Sequence, residues 1–122
     1  TTIRHTLKAY ERLKSKKLID KLFTEGKELN LYPIRVLYCI NPASSQHQAL
    51  FVVPKKKCKS AVIRNRLKRR MREAYRLHKY LLLTPQSVTS YFLIGFVYVG
   101  NSSQGNFQII QNKVVKTLEH LK

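Results

Sequence analysis

Arg64, Asn65, Arg66, Lys68, Arg69, Arg70 and Arg72 crowd into one short segment of a 122-residue chain. A guanidinium presents a planar fork of donors that grips phosphate oxygens in pairs, and lysine adds a mobile point charge. The Asn65 amide can bridge a phosphate, a ribose hydroxyl or a base edge. Like charges four apart on a helix, such as Arg64/Lys68, Arg66/Arg70, Lys68/Arg72 and Arg72/Arg76, repel by some tenths of a kcal/mol per pair, roughly. A polyphosphate backbone compensates that repulsion. Lys55, Lys56, Lys57 and Lys59 stand just upstream and offer a second phosphate-gripping edge. Phe23, Tyr32 and Tyr38 could stack an unpaired base while nearby cations hold its phosphates; rings at core-facing spacing serve equally well as core.

Side-chain catalysis finds little to work with. The six acids, Glu11, Asp20, Glu25, Glu28, Glu73 and Glu119, form no cluster able to hold a metal for phosphodiester cleavage. There is no glycine-rich phosphate loop and no serine, histidine and aspartate spacing of a nucleophilic triad. His5, His47, His78 and His120 are scattered, and Cys39 and Cys58 do not make a disulfide scaffold, so no structural metal and a reduced cytoplasmic setting are expected. A net charge of +18 and a pI near 10.3 favour nucleic acid over an anionic membrane as partner. No apolar run approaches the roughly 20 residues that span a bilayer, and the first residues lack a secretory apolar stretch. A hydrophobic fraction of 43% is enough for one small core, so residues 1–122 read as a single RNA-binding domain.

These residues need elements to hold them. Ser15 can cap a short amphipathic helix over 16–25, with Leu18, Ile19, Leu22 and Phe23 at helical spacing and Gly26 as its stop. From Leu31, alternation of Tyr32, Ile34, Val36, Tyr38 and Ile40 predicts a half-buried strand, with Pro33 marking an edge or a start. Residues 41–45 form a turn, Ala49 to Val53 a returning strand, and Pro54 a break. Ser60 caps the strongest helix, running to about Leu82. There Ile63, Leu67, Met71, Ala74, His78 and Leu81 make one apolar stripe, and Asn65, Arg66, Lys68, Arg69, Arg72 and Arg76 lie opposite. A strand over 91–99, interrupted by Gly95, and a last helix burying Phe107, Ile110, Val114, Leu118 and Leu121 complete the chain. The order α-β-β-(β)-α-β-α is that of an α+β, two-layer α/β sandwich.

The segment Ala61-Val62-Ile63-Arg64-Asn65-Arg66-Leu67-Lys68-Arg69-Arg70-Met71-Arg72-Glu73-Ala74-Tyr75-Arg76 resembles the RNR signature of the bacterial ribonuclease P protein component. Arg12-Leu13-Lys14 ahead of the first helix, Val36-Leu37-Tyr38, and Val52 to Lys57 are similar to the flanking pattern of that family. Ile19 stands where many members have a second Phe, and Lys55 to Ser60 lacks their glycine. The resemblance implies a left-handed β-α-β crossover. It also implies a protein subunit of the ribonucleoprotein endoribonuclease that removes the 5′ leader of precursor tRNA, with cleavage by the catalytic RNA and Mg²⁺ held mainly by that RNA. Carried over, Arg64, Asn65, Arg66, Lys68, Arg69 and Arg72 contact the catalytic RNA. Ile19, Phe23, Tyr38, Lys56 and Lys57 border the leader cleft, between first helix and sheet. The implied partners are ribonuclease P RNA and precursor tRNA in a bacterial cytoplasm, with no membrane and no obligate protein partner. Composition alone also admits a ribosomal or other structural RNA-binding protein without a processing role.

Overall fold

The computed structural model describes residues 11–40, 47–56, 58–82, 91–101 and 105–121. Helix α1 (Lys16–Glu25) is followed by strands β1 (Lys27–Leu31), β2 (Ile34–Ile40) and β3 (Gln48–Val52), helix α2 (Ala61–His78), strand β4 (Phe92–Tyr98) and helix α3 (Phe107–Leu121). The sheet order is β1-β2-β4-β3. β1 and β4 both run antiparallel to β2, while β3 runs parallel to β4, so β3, α2 and β4 form a crossover unit.

Local chemistry sets the helix boundaries. The Ser15 hydroxyl accepts the Leu18 N–H at 3.4 Å and the Ser60 hydroxyl accepts the Ile63 N–H at 3.3 Å, each satisfying a donor the helix itself leaves open. Gly26 ends α1 with an extended backbone (φ −69°), so the glycine is needed for space rather than for a left-handed turn: a Cβ there would lie 2.3 Å from the Leu22 carbonyl oxygen. The α-helical part of α2 stops at His78 and a 3-10 turn, Lys79–Leu82, continues it to the boundary expected from the sequence.

Strand alternation sorts two apolar sets onto the two faces of the sheet. Ile34, Val36, Ile94, Phe96 and Tyr98 pack against Leu67, Met71, Ala74 and Tyr75 of α2 and Ile110, Val114 and Leu118 of α3. Phe51 stacks on Phe96 with centroids 5.5 Å apart, and Tyr75 closes on both at 5.8 Å. On the other face, Leu37 and Leu93 meet Leu22 and Leu13. The sheet and the α2/α3 pair are the two layers, and α1 adds part of a third. β4 runs unbroken through Gly95, against which Leu22 of α1 packs: a Cβ would sit 3.0 Å from Leu22 Cδ2.

Two details of the strand pattern differ from expectation. The run from Leu31 begins on the last residue of β1, Tyr32 and Pro33 turn the chain, and the strand proper, β2, starts at Ile34. β1 escaped the alternation rule because it is an edge strand whose five residues are all exposed or half-buried. The expected turn over 41–45 lies outside the described residues.

Candidate nucleic-acid interface

α2 buries one stripe and turns the other side outward. Leu67, Met71, Ala74 and Tyr75 are buried, and Asn65, Arg66 and Arg69 are exposed. Exposed Val62 begins the same outward side, and Lys68 and Arg72 lie half-buried. Tyr75, beside this stripe, is among the largest fully buried side chains and packs against the rings of Phe51 and Phe96.

The arginines divide by what they touch. Arg64 Nη1 donates to the Cys58 and Lys59 carbonyls, both at 3.0 Å, tying the helix to the loop before it. Arg70 Nη1 donates to the Gly105 carbonyl at 2.6 Å, fastening α2 to the start of α3. Arg76 pairs with Glu73, and this hydrogen bond, opposed by some burial, holds the Glu73 carboxyl below its ordinary range. Arg66 and Arg69 thus offer exposed guanidinium groups between flanking arginines that clasp the protein. Arg72 Nε and His78 Nε2 are buried without a hydrogen-bond partner among the described residues.

The loop from β3 into α2 extends the cationic surface. Lys55, Lys56 and Lys59 are exposed. The loop is pinned from inside by buried Cys58, whose N–H bonds the Pro54 carbonyl at 3.2 Å and whose thiol faces the Ser60 carbonyl at 3.7 Å. Lys57 lies outside the described residues.

The residues assigned to a leader cleft do not converge. Ile19 is half-buried against Leu13, Leu22, Leu37 and Leu93, on the α1 side of the sheet. Phe23, one turn further along α1, is 46% exposed. Tyr38 packs with the opposite cluster: its hydroxyl lies 3.4 Å from His120 Nε2 of α3, and its ring meets Phe92 edge-on at 6.4 Å. Lys56 belongs to the other end of the sheet. Tyr38 shares a row with Ile94 and Ala49, whereas Val52 pairs with Val97 three rows on, and Lys56 follows Val52. Sequence reasoning also put Tyr32 on a strand face beside Tyr38, but it sits in the β1–β2 turn, 54% exposed. The signal was Pro33, which favours a turn directly after Tyr32.

Among the described residues, no group of three or more His, Cys, Asp or Glu side chains could hold a metal ion. Nor is any described helix long and apolar enough to cross a membrane.

The family model described as Ribonuclease P matches residues 7–122. The ribonuclease P protein component of Porphyromonas gingivalis is 39% identical over 114 residues, covering 88% of this chain and 80% of the relative. That of Chlorobium phaeobacteroides is 32% identical over 130 aligned residues, covering 97% and 89%. Among solved structures, the RNase P protein of Staphylococcus aureus superposes with a TM-score of 0.73 at 23% identity, covering 92% of this chain and 95% of that one. The protein from Thermotoga maritima gives 0.71 at 24% identity, covering 92% and 98%. At these identities the structural likeness is one of fold.

Proposed function

The chain belongs to the ribonuclease P protein family, and from that premise we propose that it grips the catalytic RNA through the outward side of α2 and assists removal of the 5′ leader from precursor tRNA. The observation that carries this reading is the pair of exposed guanidinium groups, Arg66 and Arg69, beside exposed Asn65 and directly opposite the buried stripe. Such a face can bind phosphates without disturbing the core. Lys68 and Arg72 flank it, and Lys55, Lys56 and Lys59 extend it beyond the helix N-terminus.

The chain's own part is binding and orientation. Among the described residues no group of acids, His or Cys fits a Mg²⁺ cage, and cleavage is given to the RNA, as the family resemblance implies. The leader is placed on the α1 side, with Phe23 as stacking surface and Ile19 as the apolar support one turn away. Tyr38 and Lys56 lie on other surfaces, so including them requires a leader long enough to cross an edge of the sheet.

The test is reconstitution with a bacterial ribonuclease P RNA and precursor tRNA at low Mg²⁺. Addition of the chain should raise 5′ cleavage, and Arg66→Ala/Arg69→Ala should reduce that gain while the melting temperature holds. No gain from the native chain, or full gain from the double variant, overturns the reading.

A further inference from the structure

A groove of about 500 Å³ is lined by Tyr32, Gln108, Ile109, Asn112, Lys113 and Lys116. It lies where the outer side of α3 meets the turn between β1 and β2. Ile109, Asn112, Lys113 and Lys116 recur at i, i+3, i+4 and i+7, so they form one stripe along α3. That stripe is separate from the one α3 buries, Ile110, Val114, Thr117, Leu118 and Leu121. Residues 80–122 contain three lysines, Lys113, Lys116 and Lys122, and two of them line this groove together with no acid. Tyr32 and Ile109 are exposed large apolar side chains at the same place.

The groove is not an extension of the α2 face. α2 and α3 pack side by side, but away from that contact α3 reaches β1 and β2 while α2 reaches β3, and β1 and β3 are opposite edges of the sheet; Tyr32, in the turn after β1, puts the groove at the β1 edge.

We propose that this groove is a second RNA-contact site that takes an unpaired nucleotide. The base lies against the Tyr32 ring and Ile109, the amides of Gln108 and Asn112 meet its edge, and Lys113 and Lys116 hold the adjoining phosphates. Each part matches one component of a nucleotide: an aromatic ring stacks any base, an amide donates and accepts at a base edge, and an ammonium pairs with phosphate. An acidic protein segment would draw on the lysines alone, whereas the exposed ring face and the two amides match a base and its edge, so the lining favours RNA. The site stands whether or not α2 is the main interface.

The experiment is photo-crosslinking of the full chain to an unstructured oligouridylate of about eight nucleotides carrying 4-thiouridine, a length within single-strand site sizes, with attachment sites mapped by mass spectrometry. Crosslinks at Tyr32 or within 108–116 are expected, and they should persist in Arg66→Ala/Arg69→Ala. In that background Tyr32→Ala should weaken oligouridylate binding about fivefold or more, Tyr32→Phe should retain it, and Lys113→Glu/Lys116→Glu should lose it. Tyr32→Leu, which keeps apolar bulk without a ring, reads the same loss if the alanine variant fails to fold. Crosslinks confined to α1, α2 and the 55–59 loop would overturn the proposal. So would affinity indifferent to Tyr32, or an oligoglutamate bound at this groove as tightly as the oligouridylate.

Discussion

Arg64 and Arg66 sit two positions apart on α2 and have different tasks. Arg64 spends its Nη1 on the carbonyls of Cys58 and Lys59, whereas Arg66 has no such tie among the described hydrogen bonds and is exposed. Arg64→Ala is therefore expected to cost about 1–2 kcal/mol of folding stability through lost charge-assisted hydrogen bonds. Arg66→Ala/Arg69→Ala should stay within about 0.5 kcal/mol per site of the native chain, as exposed substitutions do, while weakening RNA binding. Thermal unfolding measured beside RNA affinity separates them, and an Arg64→Ala variant with native stability and reduced affinity would move Arg64 to the RNA side. Helical period made the outward side legible in the sequence, including Asn65, Arg66 and Arg69. It could not say which arginines the chain's own carbonyls claim, because those carbonyls come from loops whose paths obey no period. The same limit governs the aromatic residues. Their type was readable, but which face of the sheet α1 covers was not: α1 packs Leu22 and Ile19 on the face of Leu37 and Leu93, whereas Tyr38 belongs to the opposite cluster and Phe23 is exposed.

At the scale of elements, the fit of α1 to the sheet depends on Leu22, which is fully buried between two glycines. A methyl at Gly95 would press on Leu22 Cδ2, the mobile end of a side chain, whereas one at Gly26 would strike the Leu22 carbonyl oxygen, which is backbone. Gly95→Ala should cost about 1 kcal/mol, and Gly26→Ala the upper part of the roughly 1–3 kcal/mol range for overpacking. Denaturant titration gives the order, and equal costs would mean that α1 shifts as a unit. The other side of the sheet carries a pH signature. Burial, with the Glu11 carboxylate adding, pushes the Tyr75 phenol well above its ordinary value of 10.0. The folded chain favours the neutral phenol, so the resulting stability is intact below about pH 10 and is lost as pH rises beyond the unfolded phenol's value. Tyr75→Phe cannot ionise, and its melting temperature should fall less than that of the native chain between about pH 9 and 11. A parallel fall in both would remove Tyr75 as the cause. The elements were legible wherever side chains are buried: α1, α2, α3 and β2 follow their periods, while β3 and β4 read as short apolar runs, β4 being buried along nearly its whole length. β1 was not, since an edge strand with no fully buried residue leaves no apolar rhythm to read.

Across the whole molecule, the charge of +18 acts on the fold and on the partner with opposite sign. In the free chain like charges repel and oppose compaction. Among the described residues, ion pairs join Arg35 to Glu28, Arg76 to Glu73 and Lys79 to Glu11, while the net charge stays strongly positive. Added salt shortens the Debye length, to about 10 Å at 0.1 M, and should raise the melting temperature of the free chain by screening that repulsion. In the complex, the same salt competes with the cations for phosphate. If about six phosphates are neutralised, log K should fall with log salt at a slope of roughly −4. Removing Arg66 and Arg69 should flatten that slope by roughly one to two. Salt should therefore stabilise the protein and weaken its hold on RNA over one titration, read by thermal unfolding in one arm and binding in the other. A flat binding series would assign recognition to uncharged contacts, and a melting temperature that fell with salt would mean that the basic segments already find enough compensation inside the folded chain.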